Sequence, residues 1–321
     1  MNLILRKQMC EKRIIGREDF ACMFKTNHDQ LPEQFLSGLD QVNTSYREAD
    51  KEELAEYVLY ILKLLNTPEV VRSTEQNFQA WNRGWDENLQ SILQDGIDLQ
   101  NLKANYFRGS KFFRYDNKLT IPENNDIEYD LFVHSRYIIF SKYLCEYENI
   151  YEFGCGSCQN LLMLSDMFPS KRLYGLDWVE PSVKIAKKLS ETLGRNIQAF
   201  IFDMLNPSPD IVLKPNSAVI TIHALEQLGQ RYDKLLSFII AAKPDIVVNY
   251  EPILEFYDED NLLDYLALLY SRKRNYLSGY LTALRELEKQ NKIEILQAYR
   301  PYLGGIIHEA SLIIWRPLEK A

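Results

Sequence analysis

The sequence predicts an α/β fold: a Rossmann-like, doubly wound and mostly parallel sheet, preceded by a helical N-terminal extension. Two observations carry this prediction. From residue 149 onward, short apolar strand-like runs alternate with helical segments, as expected where crossover helices join parallel strands. A glycine turn, Gly154-Cys155-Gly156, follows the first of these runs and supplies the backbone freedom that a strand-to-helix loop beside a ligand requires.

The first hundred residues lack that alternation and read as helical. Residues 51–65 and 73–93 each carry apolar side chains at helical spacing. For the aromatic stripe of the second segment we favour core packing over ligand contact. We therefore predict that residues 1–105 form a helical cap that serves substrate binding or oligomerisation. The apolar positions of the two segments are Leu54, Val58, Ile61, Leu62 and Leu65, and Phe78, Trp81, Trp85, Leu89 and Ile92.

Residues 106–321 form the predicted second domain. Its first part, 106–122, is hairpin-like because Asp116-Asn117 separates two β-prone runs, and a helix over 129–147 follows. The predicted strands are 149–155, 172–178, 197–204, 218–224 and 245–250, and the predicted helices are 159–168, 181–193 and 230–241. A helical insertion over 258–290 precedes a closing pair of strands, 292–299 and 310–315.

An acidic residue at the end of the second strand points to a nucleoside ligand. Asp177 lies about twenty residues beyond the glycine turn, where a carboxylate can accept hydrogen bonds from ribose hydroxyls. The dinucleotide fingerprint requires a third glycine under the pyrophosphate, and this chain has Gln159 there. A nicotinamide dehydrogenase therefore stays an alternative that the turn does not favour.

Three sequence blocks together resemble the class I S-adenosylmethionine-dependent methyltransferase family. They are Glu152-Phe-Gly-Cys-Gly-Ser-Cys158, Leu176-Asp-Trp178 and Phe202-Asp-Met204, and they occur in the family's order and spacing. The resemblance covers roughly residues 106–321 and implies S-adenosylmethionine as cofactor and an antiparallel last strand. The chain departs from the family at Cys158, where many members carry glycine.

The resemblance also implies roles for the residues of these blocks. Glu152 and the glycine turn, with Cys155, would lie near the methionine moiety, and Asp177 would bind the ribose. Trp178 would cover the adenine, Asp203 would accept from its amino group, and Met204 would line the base site. The alternative for Asp177 and Asp203 is that they cap the following helices.

Candidate catalytic residues follow the fourth strand and precede the last one. His223 is the preferred general base, because imidazole titrates near neutrality, and it would also border the cofactor. Glu226 and His308 are the other catalytic candidates. The alternative for His223 is a structural hydrogen bond.

Several carboxylates near these positions suggest an acidic, aromatic-rimmed pocket that would suit an amine. The alternative is that they are solvated or paired with arginines. The carboxylates in question are Glu226, Glu251, Glu255 and Glu309, and the arginines are Arg272, Arg274 and Arg300.

Composition narrows the classes of partner. A net charge of −8 argues against nucleic acid, and no segment suggests a membrane. Five scattered cysteines with no signal-like start indicate a reducing cytoplasm. Cys155 and Cys158 have CxxC spacing, but redox or metal chemistry is the weaker interpretation, since no second ligand pair accompanies them; we predict no metal.

These observations predict methyl transfer from S-adenosylmethionine to a nitrogen or oxygen of a small-molecule acceptor, possibly an amine, by in-line displacement. One alternative is a methyltransferase that acts on a protein or carrier-bound substrate. A second is a non-catalytic, cofactor-binding assembly protein. The oligomeric state stays open, with a homodimer among the options.

Overall fold

The structure is a computed structural model that describes residues 11–68, 74–107 and 109–318. The outermost residues of the two predicted domains, 1–10 and 319–321, lie outside the described residues, as do 69–73 and 108.

The described residues form two sheets connected by helices. The strands are β1 (Arg13–Ile14), β2 (Ser45–Glu48), β3 (Phe113–Tyr115), β4 (Lys118–Pro122), β5 (Asn149–Phe153), β6 (Arg172–Asp177), β7 (Ile197–Ile201), β8 (Ser217–Ile222), β9 (Ile246–Glu251), β10 (Ile293–Tyr299), β11 (Leu303–Gly304) and β12 (Ser311–Pro317). The α-helices are α1 (Arg17–Met23), α2 (Glu33–Leu39), α3 (Lys51–Leu65), α4 (Thr74–Asp95), α5 (Ile127–Leu144), α6 (Gln159–Met167), α7 (Glu180–Leu193), α8 (Asp233–Ala242), α9 (Leu262–Arg274) and α10 (Tyr280–Lys289).

The larger sheet has the order β10-β12-β9-β8-β5-β6-β7. Its strands from β5 to β9 pair in parallel, and β12 pairs antiparallel with both β9 and β10. Buried apolar side chains pack on both faces of this sheet. The predicted α/β fold, with a mostly parallel sheet and an antiparallel last strand, is confirmed.

The smaller sheet is antiparallel and has the order β1-β2-β4-β3-β11. Its hairpin turns at Asp116 and Asn117, whose φ angles of 51° and 59° fit the mirror-image turn that hairpins favour. The sequence did not predict β1 and β2. Because β2 pairs with β4 and β11 with β3, this sheet joins the N-terminal region to the segment before β12.

Helix α3 has the predicted bounds of 51–65, whereas the helical region before β10 differs from the prediction. Asp50 caps α3 by accepting from the backbone N–H groups of Glu52 and Glu53. The helical region predicted over 258–290 comprises two helices: α9 ends before Asn275 and α10 begins after Gly279, and both of these flanking residues have positive φ. None of the helices in the described ranges has the length and apolar character needed to span a bilayer.

Candidate functional site

A large cavity lies at the carboxyl ends of β5, β6 and β8, beneath α4. It encloses about 1110 Å³, its open mouth included. The carboxyl edge of a parallel sheet is where ligands bind in this class of fold. All nine predicted cofactor residues line this cavity: Glu152, Gly154, Cys155, Gly156, Asp177, Trp178, Asp203, Met204 and His223.

The loop after β5 needs glycine for two separate reasons. Gly154 and Gly156 have φ angles of 77° and 52°, in the left-handed region. A Cβ on Gly154 would lie 2.5 Å from the Cβ of Ala224. Cys158 has a φ of 61° and precedes α6, so it adopts the conformation that glycine would take more readily.

Asp177 ties this loop to the end of β6. Its Oδ2 accepts from the Gly156 N–H at 2.8 Å, and its Oδ1 accepts from the Val179 N–H at 3.2 Å. Burial raises the pKa of Asp177 to about 6, and the backbone donors oppose the shift. The carboxylate is therefore ionised at neutral pH at the floor of the cavity.

A buried polar chain runs from Glu152 to Arg136 through one amide. Asn160 donates to Glu152 Oε1, and the Arg136 guanidinium donates to Asn160 Oδ1. Burial raises the pKa of Glu152 to about 8. Sequence reasoning missed Arg136 and Asn160, although both line the cavity.

The second and third predicted sequence blocks also line this cavity, through Asp177, Trp178, Asp203 and Met204. Asp203 accepts from the Leu205 N–H at 2.8 Å and from the Asn206 side-chain amide at 2.9 Å, so it orders its own turn. The half-buried Trp178 meets Phe78 of α4 edge to face, with the ring centroids 5.3 Å apart.

Helix α4 covers the cavity with two tryptophans. Trp81 and Trp85 stack with centroids 5.3 Å apart, and both line the cavity. Leu89 and Ile92, from the same predicted stripe, are buried in the core. The expectation that the whole stripe packs in the core is therefore wrong for its first half.

A second cavity adjoins the first and shares five lining residues with it, among them Phe132 and His223. It reaches the loop between β11 and β12. Its remaining ring-bearing and ionisable side chains are Glu128, Glu226, Tyr250, Tyr270, Arg274, Tyr276 and His308.

The three predicted catalytic residues meet at the junction of the cavities. His223 Nδ1 and His308 Nε2 each lie 3.6 Å from Glu226 Oε2. His223 has a φ of 51°, a costly conformation for a residue other than glycine. Its ring packs edge to face against Phe132, with the centroids 5.0 Å apart.

The protonation of this cluster follows from burial and from the shared carboxylate. Burial opposes a charge on His223, but Glu226 and Glu251 outweigh it and raise the pKa of His223. Burial lowers the pKa of His308 to about 4, so this imidazole is neutral. Burial likewise disfavours a charged Glu226, but the two histidines bring its pKa below the ordinary value.

Three of the four carboxylates of the predicted acidic pocket, Glu251, Glu255 and Glu309, line neither cavity. Glu309 is fully buried and forms ion pairs with Arg300 at 2.7 Å and Arg114 at 3.0 Å. This matches the alternative in which the carboxylates pair with arginines instead of lining a pocket. Glu251 accepts from the N–H groups of residues 224 and 225. Glu226 faces the second cavity, as does Glu128, which sequence reasoning missed.

The CxxC pair lies beneath the glycine loop. Cys155 and Cys158 are free thiols with sulfur atoms 4.0 Å apart. Burial raises the pKa of Cys158, and the neighbouring thiol together with burial raises that of Cys155. Buried neutral thiols are poor nucleophiles, so the geometry favours a packing role.

Comparison with known proteins identifies similar folds at low sequence identity. No family model matches the sequence, and no curated protein matches it. The structure of the [4+2]-cyclase SpnF has a TM-score of 0.51 and 11% identity, with 78% of this chain and 98% of that chain covered.

Two methyltransferase structures show a weaker likeness. An O-methyltransferase family 2 protein from Planctomyces limnophilus, solved with apigenin, has a TM-score of 0.39 and 13% identity, with 55% of this chain and 52% of that chain covered. An O-methyltransferase from neocarzinostatin biosynthesis, solved with S-adenosylmethionine, has a TM-score of 0.39 and 14% identity over 60% of this chain and 58% of that chain. The chain thus spans just over half the length of these two proteins.

The order of the larger sheet, its antiparallel β12 and the glycine loop after β5 together define the architecture. The chain has a Rossmann-like α/β fold, similar to that of the [4+2]-cyclase SpnF.

Proposed function

We propose that the protein binds S-adenosylmethionine in the first cavity and transfers its methyl group to a nitrogen or oxygen of a small molecule in the second. The fold is compatible with other activities, so the proposal rests on the site. The observation that carries it is the pairing of Glu152 and Arg136 through Asn160, at one end of a cavity whose floor holds Asp177.

That pairing suits the amino-acid end of the cofactor. An α-amino acid presents an ammonium and a carboxylate side by side, and Glu152 and Arg136 offer a group of the opposite charge for each. Asp177 would bind the ribose, and Trp178 with Asp203 would hold the adenine. A dinucleotide has no such zwitterion and would need the pyrophosphate turn that the chain lacks.

Methyl transfer from a sulfonium requires an acceptor lone pair in line with the departing sulfur. The methyl–sulfur bond breaks as the acceptor–methyl bond forms, and the cofactor loses its positive charge. His223 borders both cavities and would take the acceptor's proton, while Glu226 would stabilise the imidazolium that results. Holding the two reactants in line would supply much of the rate.

The shape of the second cavity supports a small, flat acceptor. Its walls come from several elements and carry aromatic rings, which favours an enclosed ligand over a polymer groove. An amine acceptor remains a prediction, and it now rests on Glu226 and Glu128. The buried free thiols fit the predicted cytoplasmic location.

The test is transfer of label from methyl-labelled S-adenosylmethionine in the presence of a small-molecule extract. Label should move into the small-molecule fraction with the wild type and not with His223→Asn. Label in a protein fraction would support the protein or carrier alternative. Bound cofactor with no transfer to either fraction would favour the non-catalytic alternative.

A further inference from the structure

Two histidines and one carboxylate converge where the cavities meet. One imidazole nitrogen each of His223 and His308 and one carboxylate oxygen of Glu226 all lie within 4.8 Å of one another. They come from two places in the chain: the end of β8 with the 3₁₀ turn Leu225–Leu228 that follows it, and the loop before β12. The fold therefore brings His308 to His223 and Glu226, which are only three residues apart in sequence.

The spacing within the cluster is wrong for hydrogen bonds. Each imidazole nitrogen lies 3.6 Å from Glu226 Oε2, beyond the range of roughly 2.7–3.2 Å for an N–H···O bond. Glu226 Oε2 is buried and has no hydrogen-bond partner in the described part of the chain. A buried carboxylate oxygen without a hydrogen-bond donor is unfavourable, and the imidazoles stand too far from it to relieve this by hydrogen bonding.

The same spacing suits ligands of one metal ion. Imidazole nitrogens and carboxylate oxygens bind Zn²⁺ at roughly 2.0–2.2 Å, so two such ligands at a tetrahedral angle lie roughly 3.4 Å apart. Two histidines and one carboxylate are also the ligand set of many non-haem iron sites, where the remaining coordination positions stay open. We propose that His223, Glu226 and His308 bind a divalent first-row transition-metal ion.

The surroundings hold all three ligands in place. Gln227 donates to Glu226 Oε1 at 2.9 Å, which turns Oε2 toward the imidazoles. The backbone N–H of His223 donates to the Tyr250 carbonyl at 3.1 Å. His308 precedes Glu309, which two arginines fix in the core. The contact from Gln227 is of the kind that orients a metal-binding carboxylate and strengthens binding.

The open positions of the ion would face the acceptor. Both histidines line the second cavity, so a hydroxyl oxygen there would complete the coordination and lose its proton to solvent water more easily. With the ion bound, His223 would no longer accept that proton itself. This part of the inference rests on the proposed function and favours an oxygen acceptor over an amine, whereas metal binding does not depend on it.

The test uses Co²⁺ as the probe, on chelator-treated full-length protein without a histidine tag. Equilibrium dialysis should show one equivalent bound, and visible d–d absorption should report imidazole and carboxylate coordination. His308→Ala and the near-isosteric Glu226→Gln should each weaken binding by about a hundredfold or more. His28→Ala removes an exposed histidine outside the site and should bind like the wild type.

Circular dichroism melting would verify that each variant is folded. A wild type that binds no Co²⁺, or binding that survives in both folded site variants, would overturn the proposal. The measurement needs neither cofactor nor acceptor. A negative metal-binding result would therefore leave the proposed role of His223 as general base unaffected. Loss of cofactor binding would in turn leave the metal site intact.

Discussion

The Trp85 indole lies directly against Gly156. A Cβ on Gly156 would approach Trp85 Cζ2 to 2.9 Å, so the helix that covers the cavity rests on the loop that forms its floor. Trp85 belongs to α4 and Gly156 to the loop after β5. The N-terminal region and the sheet thus build the candidate cofactor site together.

Gly156→Ala should weaken binding of S-adenosylhomocysteine at least tenfold. The added methyl group meets Trp85, and the φ of 52° disfavours alanine by about 1–2 kcal/mol. Gly194→Ala is the matched control, since Gly194 has a φ of 62° and open space around its Cβ position. It should lower the melting temperature and leave the affinity unchanged, as measured by calorimetry. Equal affinities for both variants would show that the contact is unimportant.

Asp177→Ala should abolish measurable cofactor binding while the protein stays folded. The carboxylate orders the glycine loop through the Gly156 N–H and would accept from the ribose hydroxyls. Asp210→Ala, at an exposed aspartate, is the control and should bind normally. Unchanged calorimetric affinity in Asp177→Ala would remove the ribose role.

Cofactor binding should release a proton near neutral pH. Burial raises the pKa of Glu152 to about 8, so the free protein holds Glu152 mostly protonated at pH 7. An ammonium group needs the carboxylate, so affinity should rise as the pH increases from 6 to 8, by up to about tenfold per pH unit. The binding enthalpy at pH 7 should depend on the ionisation enthalpy of the buffer. If Glu152→Gln shows the same buffer dependence, another group supplies the proton.

His223→Asn should reduce turnover by about a hundredfold or more and change cofactor affinity little. Asparagine tolerates positive φ better than most residues, so the melting temperature should stay the same or rise. His223→Ala removes the same imidazole but places a residue that tolerates positive φ less well. Comparing the two variants therefore separates the loss of the imidazole from the relief of backbone strain. Full turnover in the folded asparagine variant would leave His223 a structural residue.

Arg114→Met should lower the free energy of unfolding by about 3–5 kcal/mol. Arg114 is fully buried, pairs with Asp264 and Glu309 and donates to the Ile307 carbonyl, so its loss leaves buried carboxylates with one cation fewer. Lys118→Met on the same hairpin breaks an exposed pair with Glu48 and should change stability by less than about 1 kcal/mol. Urea denaturation of the wild type and both variants would measure these differences in the free energy of unfolding.

The sequence predicted the larger sheet well because local signals mark it. Strand-end residues such as Gly154 and Asp177 needed no knowledge of distant partners. Of the smaller sheet, only the hairpin of β3 and β4 was predicted. Strands β1, β2 and β11 were missed, since β2 pairs with β4 far along the chain and the four residues of β2 carry little local pattern. Its position depends on long-range pairing, which no short segment encodes.

The acceptor side was predicted only in part. His308 and Glu309 are adjacent in sequence, but His308 lines the second cavity while Glu309 is buried in an ion pair. Glu128 and Arg136 lie in α5, which is buried on almost all sides and therefore shows no simple amphipathic stripe. Glu128, Phe132 and Arg136 are spaced four residues apart, which places them on one face of a helix. This spacing was the sequence signal that could have identified them.

Calorimetric titration of the wild-type protein with S-adenosylhomocysteine, beside NAD⁺ under the same conditions, tests the central claim most directly. We expect one equivalent of S-adenosylhomocysteine to bind saturably and NAD⁺ not to bind. Saturable NAD⁺ binding without S-adenosylhomocysteine binding would contradict the assignment of the cavity formed by Glu152, Arg136 and Asp177.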